Sequence, residues 1–366
     1  MFAKLGKRLS MTSNLLKLPL VSLNFHKSVC FFKLCYSFFC ISVKIYSIIV
    51  AGGTQFGGLT WSPIEIILGD SKPKHLKNWP RQLTGASSSI VKHNDSILMT
   101  QGNNFKTFLR LNQLENGTWK KHKTLHKKRS FETAVATESA TFVFGGINDS
   151  FTYEYLPKDS TTWVLGHCEI PDGFDRGYPI AVKSEQEIWL IGGYTTEQRI
   201  LSFDVNDHTF TELPLKLNVG RYGHRCAYIP YTDKIIITGG FRQNTTEILN
   251  IETNSITMAS PMNSIRSEHG IGILTINDEN RVAVFGGYDN YSSLKSVELY
   301  KTTTEEWETT NIKLIEGKHG FGFLSVKLGS LKDDSTPFES FANRNMYEQF
   351  SKLKDKLIKS GQINKI

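Results

Sequence analysis

Short apolar runs, each ended by glycine and separated by polar turns, recur along this chain at a nearly constant interval. Ser47–Ala51, Thr141–Phe144, Ile188–Ile191, Ile235–Thr238 and Val282–Phe285 lead into Gly52-Gly53, Gly145-Gly146, Gly192-Gly193, Gly239-Gly240 and Gly286-Gly287. Runs of four or five β-branched and aromatic residues bounded by turn formers predict strands rather than helices. The last three steps between glycine pairs are 47 residues each, and the longer gap from Gly52 to Gly145 holds a degenerate copy, Ile97–Gly102, near its middle. Six units of about 47 residues follow. A period of this size, with one Gly-ended strand per unit, predicts an all-β propeller of six four-stranded blades.

The unit that begins at Arg221 shows the pattern in full. Arg225–Ile229 predicts a first strand, Lys234–Thr238 a second, Thr246–Ile251 a third and Ser255–Met258 a fourth. Glycine is expected where inner strands crowd and the chain must turn without room for a Cβ. Large side chains seven residues apart flank the last turn of each unit: Tyr300 with Trp307, Phe203 with Phe210, Leu249 with Ile256. Units two and three end at Trp119 and Trp163. These side chains are expected to fill the space between neighbouring sheets, since a single sheet has no core of its own.

Unit six reads Val284-Phe-Gly-Gly-Tyr288, then Val297-Glu298, Tyr300 and Trp307. A double glycine after an apolar strand, a Val-Glu pair, a Tyr and a later Trp resemble the Kelch-repeat family. The other units match it in part, and the resemblance covers about 280 residues. It implies a six-bladed Kelch-type propeller over residues 45–326, with extensions at both ends. Nothing resembles the BTB or BACK domains that precede many Kelch propellers, so a ubiquitin-ligase adaptor role loses its main support. Unit one lacks a first strand, and His319–Val326 has that character. The C-terminal strand is therefore expected beside Ile45–Val50, closing the ring and removing an open edge.

Charge changes the picture at the N-terminus. The formal net charge is +8, yet Lys4, Lys7, Arg8, Lys17, Lys27, Lys33 and Lys44 lie in residues 1–64 with no acid among them. A nearly neutral repeat region argues against nucleic acid as a partner. Residues 1–44 form a basic leader with an apolar core, Leu34–Val43, which resembles a signal peptide. An uncleaved membrane anchor, an organellar presequence and a misplaced start are the alternatives. Secretion is the favoured location and the cytoplasm the alternative. Five sequons, at Asn94, Asn116, Asn148, Asn244 and Asn290, fall between expected strands, where a glycan fits. Residues 327–366 form a polar tail in which Met346, Phe350, Leu353 and Leu357 mark a short amphipathic helix.

Basic residues also recur with the repeat. Arg81, Arg129, Arg176, Arg221 and Arg266 stand before successive first strands, with Lys318 in the last copy. In Kelch propellers this loop shares a face with the loop after the double glycine, which by motif position contributes Tyr194, Phe241, Arg242 and Tyr288. Guanidinium groups with aromatic neighbours suit an acidic, extended ligand. The expectation is therefore a non-catalytic module that binds a protein or peptide, with no cofactor or metal. A structural role in blade contacts competes for each arginine, and recurrence assigns His224, His269 and His319 to structure. The resemblance leaves two alternatives. One is a Kelch-type enzyme, either a copper-radical oxidase or a sialic-acid epimerase with an Arg/Glu/His pocket at Arg176, Glu268 and His269. The other is a structural role in an extracellular matrix. Unlike polar groups converging in a deep pocket would favour catalysis.

Overall fold

The computed structural model describes residues 46–327, save for 56–57, 60–64, 69–72, 76–88, 95, 101–107, 112–119, 183–184 and 278. Four antiparallel sheets run through its centre, each of four strands in sequence order. One is built from Thr133–Ala136, Ala140–Phe144, Tyr153–Pro157 and Val164–Leu165, and the next from Tyr178–Val182, Glu187–Ile191, Ile200–Asp204 and Phe210–Glu212. Arg225–Tyr228, Lys234–Gly240, Gln243–Asn250 and Ser255–Ala259 make the third, and Gly270–Ile276, Glu279–Phe285, Ser296–Lys301 and Glu306–Lys313 the fourth. They are blades of a propeller.

Two further four-stranded sheets flank these. Ile90–His93, Ser96–Thr100, Phe108–Leu111 and Lys120–Lys121 make one. The other joins distant parts of the chain, in the order Gly322–Lys327, Tyr46–Ala51, Glu65–Leu68, Lys74–His75. Its register pairs Tyr46 with Lys327 and Ala51 with Gly322, which is the expected pairing of the late strand beside the first.

The core lies between sheets. Phe142, Phe144 and Tyr153 of one blade pack with Ile188, Leu190 and Phe203 of the next. Ile236 and Ile248 meet Ile273, Val284, Tyr300 and Trp307 in the same way. The side chains seven apart in sequence are cross-strand partners: Phe203 faces Phe210, Leu249 faces Ile256 and Tyr300 faces Trp307. Trp307 also donates its indole N–H to Thr246 Oγ1 of the neighbouring blade at 3.1 Å. Trp163 is buried with Val91 and Leu98 of the preceding sheet.

The glycine pairs sit where a side chain has no space. Gly145 has φ +55°, and a Cβ there would lie 1.6 Å from the Phe174 carbonyl oxygen. That carbonyl is the acceptor for the Gly146 N–H at 2.9 Å, so the tight approach is itself the hydrogen bond between neighbouring blades. The leader 1–44, Trp119, Arg81, Asn116 and the amphipathic stretch of the tail lie outside the described residues. Cys168 and Cys226 are both free thiols.

Candidate active site

At four corners among the described residues the closing position is basic: Arg129, Arg221, Arg266 and Lys318. The backbone carbonyls of Arg221, Arg266 and Lys318 accept the N–H of Gly193, Gly240 and Gly287 from the blade before. Their side chains turn into their own blade. Arg221 donates to Gly239 O at 2.8 Å and Glu247 Oε1 at 2.5 Å, and Arg266 to Gly286 O at 2.6 Å and Glu298 Oε1 at 2.8 Å. Arg129 repeats this with Gly145 O at 2.9 Å and Glu154 Oε1 at 3.2 Å, and Lys318 pairs with Glu65. Every one of these ion-paired side chains is fully buried. The expectation that Arg129, Arg221 and Arg266 present guanidinium groups to a ligand is corrected. They are internal cross-links, because a buried carboxylate on the third strand needs a charged partner.

Arg176 does not belong to this series. In its blade the carbonyl that accepts the Gly146 N–H is that of Phe174, and the third-strand position held elsewhere by Glu is Leu201, paired with Leu190. Phe174 and Leu201 share one apolar cluster. Arg176 stands two residues past Phe174 in left-handed conformation, φ +51°. Phe131, Gly223, Glu268 and Gly320 stand two residues past their own corner positions with φ +56°, +66°, +50° and +60°. Their backbones are linked from blade to blade. Gly223 N–H donates to Arg176 O at 2.6 Å, Glu268 N–H to Gly223 O at 2.7 Å, and Gly320 N–H to Glu268 O at 2.9 Å.

All five of these residues line one cavity, which also takes in Glu132, Tyr178 and Arg225. Counted out to its open mouth, the space between these residues is about 570 Å³, much of it open to solvent. The Arg176 guanidinium lies over the rings of Phe131, Tyr194 and Tyr222, at 4.8, 5.5 and 5.9 Å. Among the described residues its side chain makes no ion pair or hydrogen bond, and its Nε is buried without a partner. Arg225 donates to His224 O at 2.9 Å and lies over Tyr178 and Phe323 at 5.7 and 5.8 Å. Burial raises the Glu268 carboxyl, while the charges of Arg225 and then Arg176 oppose that rise. Burial also raises the Tyr178 phenol, which stays protonated at neutral pH.

Repetition pointed to the arginines that work inside the blades. The signal for the cavity was the opposite one. At equivalent backbone positions the residue type changes from Phe131 to Arg176 to Gly223 to Glu268. Glu132, Tyr178, Arg225 and Tyr222 carried no sequence signal at all. Tyr194, Phe241 and Arg242 are exposed near the cavity, whereas Tyr288 is half-buried with its hydroxyl donating to Asn290 O at 3.0 Å. The histidines point inward. His269 Nε2 contacts Thr238 Oγ1 at 2.9 Å and His319 Nδ1 contacts Ser293 Oγ at 3.0 Å. Cys168 lies 3.7 Å from the Tyr153 hydroxyl, away from the cavity lining. No cluster of three or more His, Cys, Asp or Glu among the described residues is arranged to hold a metal ion.

The Kelch motif matches residues 279–311, the last of the four central blades. The chain carries a Kelch repeat. No curated protein matches its sequence. The structure titled "Structure of YjhT" is similar with a TM-score of 0.57 at 16% identity, over 68% of this chain and 88% of that one. At that identity the likeness is one of fold. These findings correct the non-catalytic, protein-binding reading. Arg129, Arg221 and Arg266 of its ring are buried, and unlike polar groups meet in a cavity instead.

Proposed function

We propose that this Kelch-type propeller is a carbohydrate-active enzyme that performs acid–base chemistry on an anionic sugar in the cavity at Arg176 and Glu268. The observation that carries the reading is the meeting in one cavity of unlike groups from equivalent backbone positions, two residues past the corners. Arg176 makes no ion pair or hydrogen bond with a carboxylate among the described residues, and Glu268 has a carboxyl raised by burial. Buried charges are ordinarily paired, as the corners at Arg129, Arg221, Arg266 and Lys318 demonstrate. A carboxylate on the substrate supplies the missing partner, held by Arg176 with Arg225 beside it. Glu268 then exchanges a proton with a sugar oxygen. A carboxyl raised toward neutrality serves that exchange better than one at its ordinary value. Glu132 provides a second carboxyl in the same cavity. Opening and reclosing a sugar hemiacetal needs only such proton transfers, which is the chemistry of the epimerase type named above. Copper-radical chemistry is less favoured, since its donor set is not assembled among the described residues.

The ring in this reading has six blades over residues 45–326, flanked by the leader and the tail. Its closure is supported by the late strand on Tyr46–Ala51 and by the packing of Gly322, where a Cβ would lie 2.5 Å from Ile90 Cγ1 of the next sheet. Anomeric exchange of a sialic acid or a uronic acid, followed by NMR, tests the function. The protein is expected to accelerate exchange, and Glu268→Gln to lower that acceleration by about 100-fold or more. An unaltered rate in Glu268→Gln, or no acceleration by the wild type on either sugar class, overturns it.

A further inference from the structure

Aromatic side chains continue from the cavity out across the surface. Tyr222 stacks on Phe241 with ring centroids 5.3 Å apart and planes 18° off parallel, and Tyr194 meets Tyr222 edge-on at 5.1 Å. Arg176 closes the inner end of this row through Tyr194 and Tyr222, and Arg242 caps the outer end 5.1 Å over Phe241. Tyr194 is 54% exposed. This aromatic area faces water, is fixed by its neighbours and is not covered by the described residues. Asp175 adds a carboxyl next to it. Its backbone oxygen accepts the Tyr194 N–H at 3.0 Å, and one of its carboxyl oxygens is buried with no hydrogen-bond partner.

We propose that the cavity takes one unit of a longer anionic glycan, and that the next sugar stacks on Tyr194 beside Asp175. This rests on the carbohydrate reading of the cavity. The occupant follows from continuity and chemistry. Arg176 belongs to both the cavity and the aromatic row, so a ligand held by its guanidinium is already within reach of Tyr194. A pyranose presents a face of polarised C–H groups, which meets the negative face of an aromatic ring. Its equatorial hydroxyls stand at the rim of that contact, where the Asp175 carboxyl accepts hydrogen bonds. Arg242 at the far end attracts a second negative charge, as a repeating acidic glycan provides.

Calorimetry with a sialic acid monosaccharide and its linked dimer, and with galacturonic acid and its dimer, tests the proposal. In at least one series the dimer is expected to bind the wild type tenfold or more tightly than the monomer. Tyr194→Ala should erase that gain, so that monomer and dimer bind the variant with equal affinity. Tyr194→Phe, which keeps the ring, should retain the gain. Equal affinities for monomer and dimer overturn the outer subsite and leave the cavity reading intact. A dimer gain that survives Tyr194→Ala overturns it as well. Failure of all four sugars to bind overturns both.

Discussion

The corner at Arg221 and the corner at Phe174 use the same backbone hydrogen bond between blades but fill it with opposite chemistry. At the first, a buried guanidinium clasps Glu247 and the carbonyl of Gly239. At the second, Phe174 packs with Leu201 and no charge enters. The ion pair is therefore not required by the geometry of the corner. Replacing such a pair by a well-fitting apolar pair is close to neutral in stability, whereas removing one member strands a buried charge. The fourth unit also has an arginine nearby in sequence. Freed from a corner, Arg176 faces the cavity instead.

The comparison breaks most sharply at Arg266. Arg266→Ala leaves the Glu298 carboxylate buried without its partner and should cost about 3–5 kcal/mol, read from urea unfolding. A loss of less than about 1 kcal/mol would show that the corner does not depend on its charge. The double change Arg266→Phe with Glu298→Leu rebuilds the Phe174 and Leu201 arrangement and is expected to recover all but about 1–2 kcal/mol. A double variant no more stable than Arg266→Ala would mean that the apolar corner is particular to its own blade.

Arg176→Ala sharpens the contrast from the other side. Its stability should fall by about 1 kcal/mol through lost contacts with the three rings, while binding of an acidic monosaccharide falls at least tenfold. Calorimetry and unfolding on the same sample separate the two. The smallest effect is one of pH. Burial, then the charges of Arg221 and Arg225, hold His224 well below its usual value, and His269 is lowered in the same manner by burial and by Arg225 and Arg266. Both are neutral when folded and gain protons when unfolded below the usual imidazole value of about 6.5. Stability should therefore be fully present above that pH and decline as pH falls through and below it. His224→Phe should reduce that decline, as measured by urea midpoints between pH 8 and 5.

Much of the fold was legible because it repeats. Gly145, Gly192, Gly239 and Gly286 mark strand ends whose crowding admits no side chain, and Tyr300 with Trp307 marks a cross-strand pair seven residues apart. Repetition also misled. A basic residue at nearly every corner reads equally as a ligand ring or as an internal cross-link, and only the depth of Glu154, Glu247 and Glu298 decides between them. The candidate site was barely legible, because it consists of departures from the pattern. Arg225 and Tyr178 occupy an ordinary first-strand position, and their importance comes from which other blades face them.

The pairing of Lys318 with Glu65 spans 253 positions of sequence. On a ribosome adding about 5–20 residues per second, Glu65 emerges on the order of ten to fifty seconds before its cation. Throughout that interval the strand Tyr46–Ala51 presents a bare hydrogen-bonding edge, rich in isoleucine and valine, to whatever else is nascent nearby. The last of the described strands to be synthesised is thus the one that retires the oldest hazard. A transcript truncated ahead of Gly322 would release a chain with its most adhesive edge still open, and its fate would be set by chaperone capture rather than by the stability of the blades already made.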